Sequence, residues 1–260
     1  MAVLIEPVSL REGVAAWFTG RDPDGTPQTV GAPGNLAHRR PHRPADLARD
    51  RAAVAEVVGI SADRWHLMRQ VHGASVGLVE ADTPPGYELR DVDAAVTAEA
   101  DRTLVVQVAD CVPVLFAGAG VVGVAHAGRR GVQSGVVGAT VEALDELGTS
   151  PGNLVAAIGP AVGGCCYEVP KELQQEVLQV APTAAATTTW GTPSLDLRSA
   201  VRDQLESVGV EVVAQESSCT HCDTRWFSHR RDPDGGRQIG LVVRHATETE
   251  PADSGAEVAS

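Results

Sequence analysis

Three apolar runs each end on a side chain that can hold a borderline-soft metal. Residues 67–70 lead into Val71-His72-Gly73, residues 104–109 into Asp110-Cys111, and residues 121–125 into His126-Ala127-Gly128. Two imidazoles and a thiolate suit Zn²⁺, and three protein ligands leave a fourth position for water or substrate, the catalytic rather than the structural arrangement. The separations are far longer than those of a zinc finger, so three strands must converge to make the site. Taken separately, each is an ordinary core or surface residue, and spacing alone leaves these two readings level. Asp110, beside Cys111, is a candidate acid/base or a group that orients a ligand.

Other motifs carry less. Cys219-Thr220-His221-Cys222 is a CxxC without a second CxxC, and the adjacent pair Cys165-Cys166 has the wrong spacing to complete it. Packing cysteines, with Cys222 exposed, are the expectation. No His-x-Glu is present, so the zinc deaminase signature fails. Residues 158–168 form a glycine-rich loop that lacks the lysine-serine/threonine ending of a phosphate loop. Arg129-Arg130 follow His126 closely and Arg230-Arg231 stand in a second basic stretch; arginine makes bidentate contacts to phosphate and carboxylate. Arg130 is open between oxyanion partner and solvated loop; Arg231 is the better match to the loop.

Strand ends need strands to carry them. The chain has 260 residues, 43% of them hydrophobic, enough to bury a sizeable core and too apolar for disorder throughout. No apolar run approaches the roughly 18–20 residues of a membrane span, and the N-terminus does not read as a secretion signal. The net charge of −13 argues against a nucleic-acid polymer as partner, while leaving a small anionic substrate open, because local arginines decide that. Five cysteines, an odd number, in a chain with no export signal read as reduced thiols in a cytoplasmic protein. Strands are expected at 66–71, 74–79, 104–109, 112–116, 121–125, 155–158, 210–215 and 238–244. Helices are expected at 46–58 with Gly59 as C-cap, at 132–147 weakened by Gly135 and Gly138, at 171–180, and at 197–208 capped by Asp196. Residues 20–44 read as a loop. Residues 1–246 make one catalytic domain of α/β or α+β class, with mixed β-sheets flanked by helices, and the acidic tail 247–260 is expected to be disordered.

Together the motifs resemble the YfiH family, known as laccase-domain or multicopper polyphenol oxidase-like proteins and as bacterial purine nucleoside phosphorylases. The matching pieces are QVHGASV at 70–76, DAAVTA at 93–98, QVADCVPVLF at 107–116, GVAHAGRRGV at 123–132, IGPAVGGCCYEV at 158–169, LDL at 195–197, CT at 219–220 and FSHRRDPDGGRQIG at 227–240. The resemblance implies a single mixed-sheet domain related to cysteine hydrolases such as a necrotizing-factor deamidase. It implies zinc held by His72, Cys111 and His126. It implies phosphorolysis of adenosine, inosine, guanosine and methylthioadenosine to base and ribose 1-phosphate, together with deamination of adenosine. Purine nucleosides and phosphate would then be the partners of a monomer or homodimer. Three departures touch the substrate edge: Arg129 stands where the family has tryptophan, the family's N-terminal SLNLG survives only around Asn35, and its helical asparagine-arginine pair is Asp50-Arg51. Asn35, Arg51 and Arg130 are the candidate substrate or phosphate ligands.

Three other readings compete. A copper polyphenol oxidase is disfavoured by eight histidines with no His-x-His, though a His₂Cys site with Met68 as axial ligand keeps copper in view. A metal-free cysteine hydrolase acting on peptidoglycan precursors would use Cys111 as nucleophile and His126 or His72 as base. A non-enzymatic binding protein is compatible with the acidic surface and tail, but leaves the three strand-end ligands unexplained.

Overall fold

The computed structural model describes residues 3–21, 34–40 and 42–246. The expected tail 247–260 and most of the loop at 20–44 lie outside the described residues. The strands are β1 (Val3–Pro7), β2 (Val14–Arg21), β3 (Met68–Arg69), β4 (Val76–Leu78), β5 (Leu89–Arg90), β6 (Ala94–Thr97), β7 (Leu104–Val108), β8 (Val112–Ala117), β9 (Val122–Ala127), β10 (Val155–Ile158), β11 (Ala185–Thr187), β12 (Pro193–Leu195), β13 (Glu211–Gln215) and β14 (Gln238–Arg244). The helices are α1 (Pro44–Val58), α2 (Arg129–Ser134), α3 (Val136–Glu146), α4 (Lys171–Leu178) and α5 (Leu197–Ser207). None is long and apolar enough to cross a membrane.

Two sheets carry the fold. One is antiparallel, in the order β1-β2-β14-β7. The other is mixed, in the order β13-β10-β8-β9-β6-β4, with parallel pairs at both edges. Period-two alternation sorts their side chains into layers. In β7, Leu104 and Val106 face the second sheet, while Val105 joins the cluster with Val54 and Val58 of α1. In β8, Val112, Val114 and Phe116 pack under α3 and α5, while Leu115 turns to the first sheet. The result is helix, sheet, sheet, helix, with three apolar interfaces that cover the central strands on both faces and leave edge strands such as β1 and β13 partly exposed. Gly159 and Gly240 let the sheets approach: a Cβ on either would meet the Phe18 ring, at 2.4 Å and 3.0 Å respectively.

Local signals explain the helices. Pro44 opens α1 with its φ already set, and Gly59 ends it in the left-handed conformation, donating its N–H to Ala55. The Asp196 side chain accepts from Arg198 N and Ser199 N at 3.1 and 3.3 Å and so caps α5. Val208, expected as the last residue of this helix, lies past its end and is exposed. The helix expected at 132–147 is two helices, because Gly135 at φ +82° closes α2 and starts α3 on a new axis. The strands expected at 66–71 and 74–79 shrink to β3 and β4, since the intervening backbone turns away to meet Asp93. β1, β2 and the short β11–β12 pair were not expected from the sequence.

Candidate metal centre and cavity

His72, Cys111 and His126 converge. His126 is on β9, Cys111 lies in the bend between β7 and β8, and His72 follows β3. Their ligand atoms all lie within 4.8 Å of one another. Cys111 Sγ is 3.8 Å from His72 Nε2, and the two imidazoles meet edge to face with centroids 4.7 Å apart. A tetrahedral site with Zn–S near 2.3 Å and Zn–N near 2.1 Å holds its donors roughly 3.4–3.6 Å apart, so the donor set fits a metal with small side-chain adjustments.

Asp93 builds this geometry. Its carboxylate is fully buried and accepts from His126 Nδ1 at 2.7 Å, leaving Nε2 to face Cys111. It also accepts the backbone N–H groups of Val71, His72 and Gly73 at 3.1, 2.9 and 2.7 Å. Those three bonds hold His72 at φ +64°, a left-handed conformation that costs a non-glycine residue of order 1–3 kcal/mol. Burial alone would raise the Asp93 pKa; the His126 bond and the backbone donors outweigh it and hold it below the usual range. Gly128 completes the packing, since a Cβ there would sit 2.9 Å from His72 Cδ2 and 3.0 Å from Cys111 Sγ.

Without a metal, Cys111 and His126 form an ion pair. Burial works against both charges, yet each charge stabilises the other: the thiol falls to about 6 and the imidazolium rises to about 9, with the Asp93 bond adding to the second shift.

These residues floor a cavity of about 770 Å³. One wall holds Gln70 and Gln107. Gln70 bonds the Gln107 backbone in both directions, at 2.8 and 2.9 Å, and the Gln107 Nε2 is buried with no partner. Another wall is Tyr167, with the Arg230 guanidinium 4.5 Å from its ring centroid. Arginines ring the rest: Arg39, Arg40, Arg129, Arg130 and Arg237 all line it. Arg237 is pushed down to about 10, by burial first and by the neighbouring Arg40 charge second. A desolvated cation beside a second cation favours an anion nearby.

The other sequence candidates fall in different places. Asp110 lines the cavity at φ +82°, but both its oxygens are taken, by Thr220 Oγ1 at 2.6 Å and Arg230 N at 2.7 Å. It ties three loops together beside Cys111. Arg130 is exposed at the rim. Asn35 and Arg51 stand behind the wall. Asn35 Oδ1 accepts from Ala37 N and Arg237 N at 3.1 and 3.0 Å, and Arg51 donates twice to the Leu36 carbonyl at 3.2 and 2.9 Å. Asn35 thereby fixes Ala37 and Arg237, which do line the cavity, and Arg51 holds Leu36, the residue before Ala37. Arg231 spends its guanidinium on the carbonyls of Thr220 and His221, consistent with a structural role. Sequence reading gave no role to Asp93, Tyr167, Arg40 or Arg237. For Asp93 a signal existed: a carboxylate directly before the apolar run of β6 enters the core and needs donors there.

Residues 15–245 match the family model described as multi-copper polyphenol oxidoreductase laccase. A protein named purine nucleoside phosphorylase from Streptomyces coelicolor is 47% identical over 204 residues, covering 76% of this chain and 83% of its own length. One of the same name from Corynebacterium glutamicum is 36% identical over 220 residues, covering 84% and 89%. Among solved structures, YlmD from Geobacillus stearothermophilus superposes with a TM-score of 0.79 at 31% identity, covering 90% of this chain and 93% of that one.

Proposed function

This chain belongs to the laccase-domain (YfiH) family, and on that premise we propose that it is a zinc-dependent purine nucleoside phosphorylase that also deaminates adenosine. The observation that carries the reading is the convergence of His72, Cys111 and His126 on the floor of an arginine-ringed cavity. The relatives named purine nucleoside phosphorylase supply the substrate class. His72, Cys111 and His126 would hold the metal, which when bound polarises a substrate atom or acidifies a water. Arg40, Arg130 and Arg237 line the cavity and would hold phosphate against the ribose by charge-assisted bonds. The free amide of Gln107 is available to a purine edge or ribose hydroxyl. Asn35 acts through Ala37 and Arg237, and Arg51 through Leu36 beside Ala37. Asp110 acts through its loop contacts, keeping Cys111 in place.

Purified protein given adenosine and phosphate should release adenine and ribose 1-phosphate, and adenosine alone should give inosine, both followed by chromatography. Cys111→Ala should abolish both conversions; unchanged turnover in that variant sinks the proposal. Met68 lines the same cavity, so copper is the alternative metal, and an intense visible band on copper loading would mark it.

One observation favours a second reading. Cys111, His126 and Asp93 stand in the order nucleophile, base and orienting carboxylate. A metal-free cysteine hydrolase would use that set directly. Metal content separates the two: about one tightly held zinc at this centre removes the free nucleophile the hydrolase needs.

A further inference from the structure

Beyond the cavity floor, the fold gathers a second set of soft ligands. The CxxC at 219–222 was expected to be packing because no partner pair had the right spacing. The structure supplies the partner in space. The glycine-rich turn after β10 brings Cys165 and Cys166 against Cys219 and Cys222, and all four sulfurs lie within 4.8 Å of one another. Cys166 Sγ is 3.3 Å and Cys165 Sγ 4.0 Å from Cys222 Sγ, and all four are free thiols. Four thiolates at about 2.3 Å from a tetrahedral zinc ion are roughly 3.8 Å apart, within this spread.

The backbone around Cys219 is arranged for thiolate charge. Gly163 N–H donates to Cys219 Sγ at 3.2 Å, and the N–H groups of His221 and Cys222 also reach that sulfur. The Cys222 N–H bonds the Cys219 carbonyl at 3.0 Å, closing the tight turn that aims both sulfurs one way. The two segments are registered by a parallel bridge between Ala161 and Cys219, and by Thr220 N–H donating to Ala161 O at 3.1 Å. Isolated packing cysteines need none of these features.

We infer that Cys165, Cys166, Cys219 and Cys222 form a closed tetrathiolate site for a zinc-class divalent cation, separate from the His72 centre. With four protein ligands it has no open position, and its work is structural. It staples two loops of the cavity wall. Tyr167, next to Cys166, lines the cavity under Arg230, and Thr220, next to Cys219, bonds the Asp110 carboxylate beside Cys111.

The test removes the other site first. His72→Ala/Cys111→Ala protein, purified under reducing conditions with zinc present, is assayed for metal by mass spectrometry and X-ray absorption. We expect about one zinc per chain with four sulfur neighbours at about 2.3 Å, and thiolate charge-transfer bands after cobalt exchange. Adding Cys222→Ser, at an exposed position, should strip the metal to background while circular dichroism stays native. Metal-free double-variant protein, or a disulfide joining Cys166 and Cys222 in its mass map, overturns the inference, as does zinc coordinated by nitrogen or oxygen. The absorption spectrum needs no substitution in the cluster, so it decides the matter even where Cys222→Ser misfolds. Zinc in the wild type beyond that of the double variant reports the cavity centre independently.

Discussion

Asp93 makes one carboxylate serve two histidines. It fixes the His126 tautomer through Nδ1 and pins the His72 backbone through three consecutive N–H groups. Asp93→Asn keeps the volume but replaces one acceptor oxygen by an NH₂ that faces donors. Partners of this kind are worth about 10–100-fold in metal affinity, so the variant should lose zinc that much more readily in competition with a chromophoric chelator. Retention of wild-type affinity would show that the ligands hold themselves. The thiol beside it offers a pH test on chelator-treated protein. A cysteine lowered to about 6 is thiolate above that pH, so alkylation by iodoacetamide should climb through pH 6 and then level. An ordinary thiol would still be climbing near 8.5. Near pH 9 the His126 charge is lost, and with it the cation that stabilises the thiolate. The three candidate ligands, which the fold brings together, were legible in sequence because soft side chains at the ends of apolar runs are few. Asp93 was not given a role, because its partners come from chain 20 or more residues away and only the fold brings them to it.

At the scale of elements, the junction of β9 with α2 is where strand chemistry meets helix packing. Gly128 has φ −74°, a value alanine adopts freely, so only the lost space matters. Its Cβ would press on His72 Cδ2 and Cys111 Sγ. Gly128→Ala should therefore fold with near-normal circular dichroism yet bind less metal per chain. A variant that both folds and loads fully would show that the centre can yield. The glycines that broke expectations did so for a different reason. Gly135 and Gly138 looked like mere weak points in one helix, but only Gly135 has positive φ and so only it ends a helix. Among the strands legible in sequence, β7 to β10 are mostly buried and read as apolar-rich runs, while β13 was legible from its alternation and β14 from its Ile/Leu/Val run. β1 and β2 escaped notice because they are partly exposed and interrupted by Glu6, Pro7 and Gly20.

The whole molecule sets its cavity against the seam between two sheets, and arginines ring that cavity inside a chain of net charge −13. Composition could report the overall acidity; it could not report that the arginines of three distant segments face one space. The seam itself is close-packed at Phe18, against which Gly159 and Gly240 lie. Gly159 also begins the turn that carries Val162 to the cavity and Cys165 to the thiol cluster, and its N–H bonds the Pro113 carbonyl at 2.9 Å. Gly159→Ala would place a methyl 2.4 Å from the Phe18 ring. Overpacking of this kind costs about 1–3 kcal/mol, and at this chain length each kcal/mol lowers Tm by about 2–4 °C. The ring and the turn must then share the displacement, so metal binding in the cavity should weaken along with stability. Phe18→Leu, which shortens the side chain at the point of collision, should restore part of both in the Gly159→Ala background while destabilising the wild type. Residues in such contact couple by about 0.5–3 kcal/mol in a double-mutant cycle. Strict additivity in urea denaturation would mean that the seam relaxes around the new methyl, and that sheet packing and site geometry are independent.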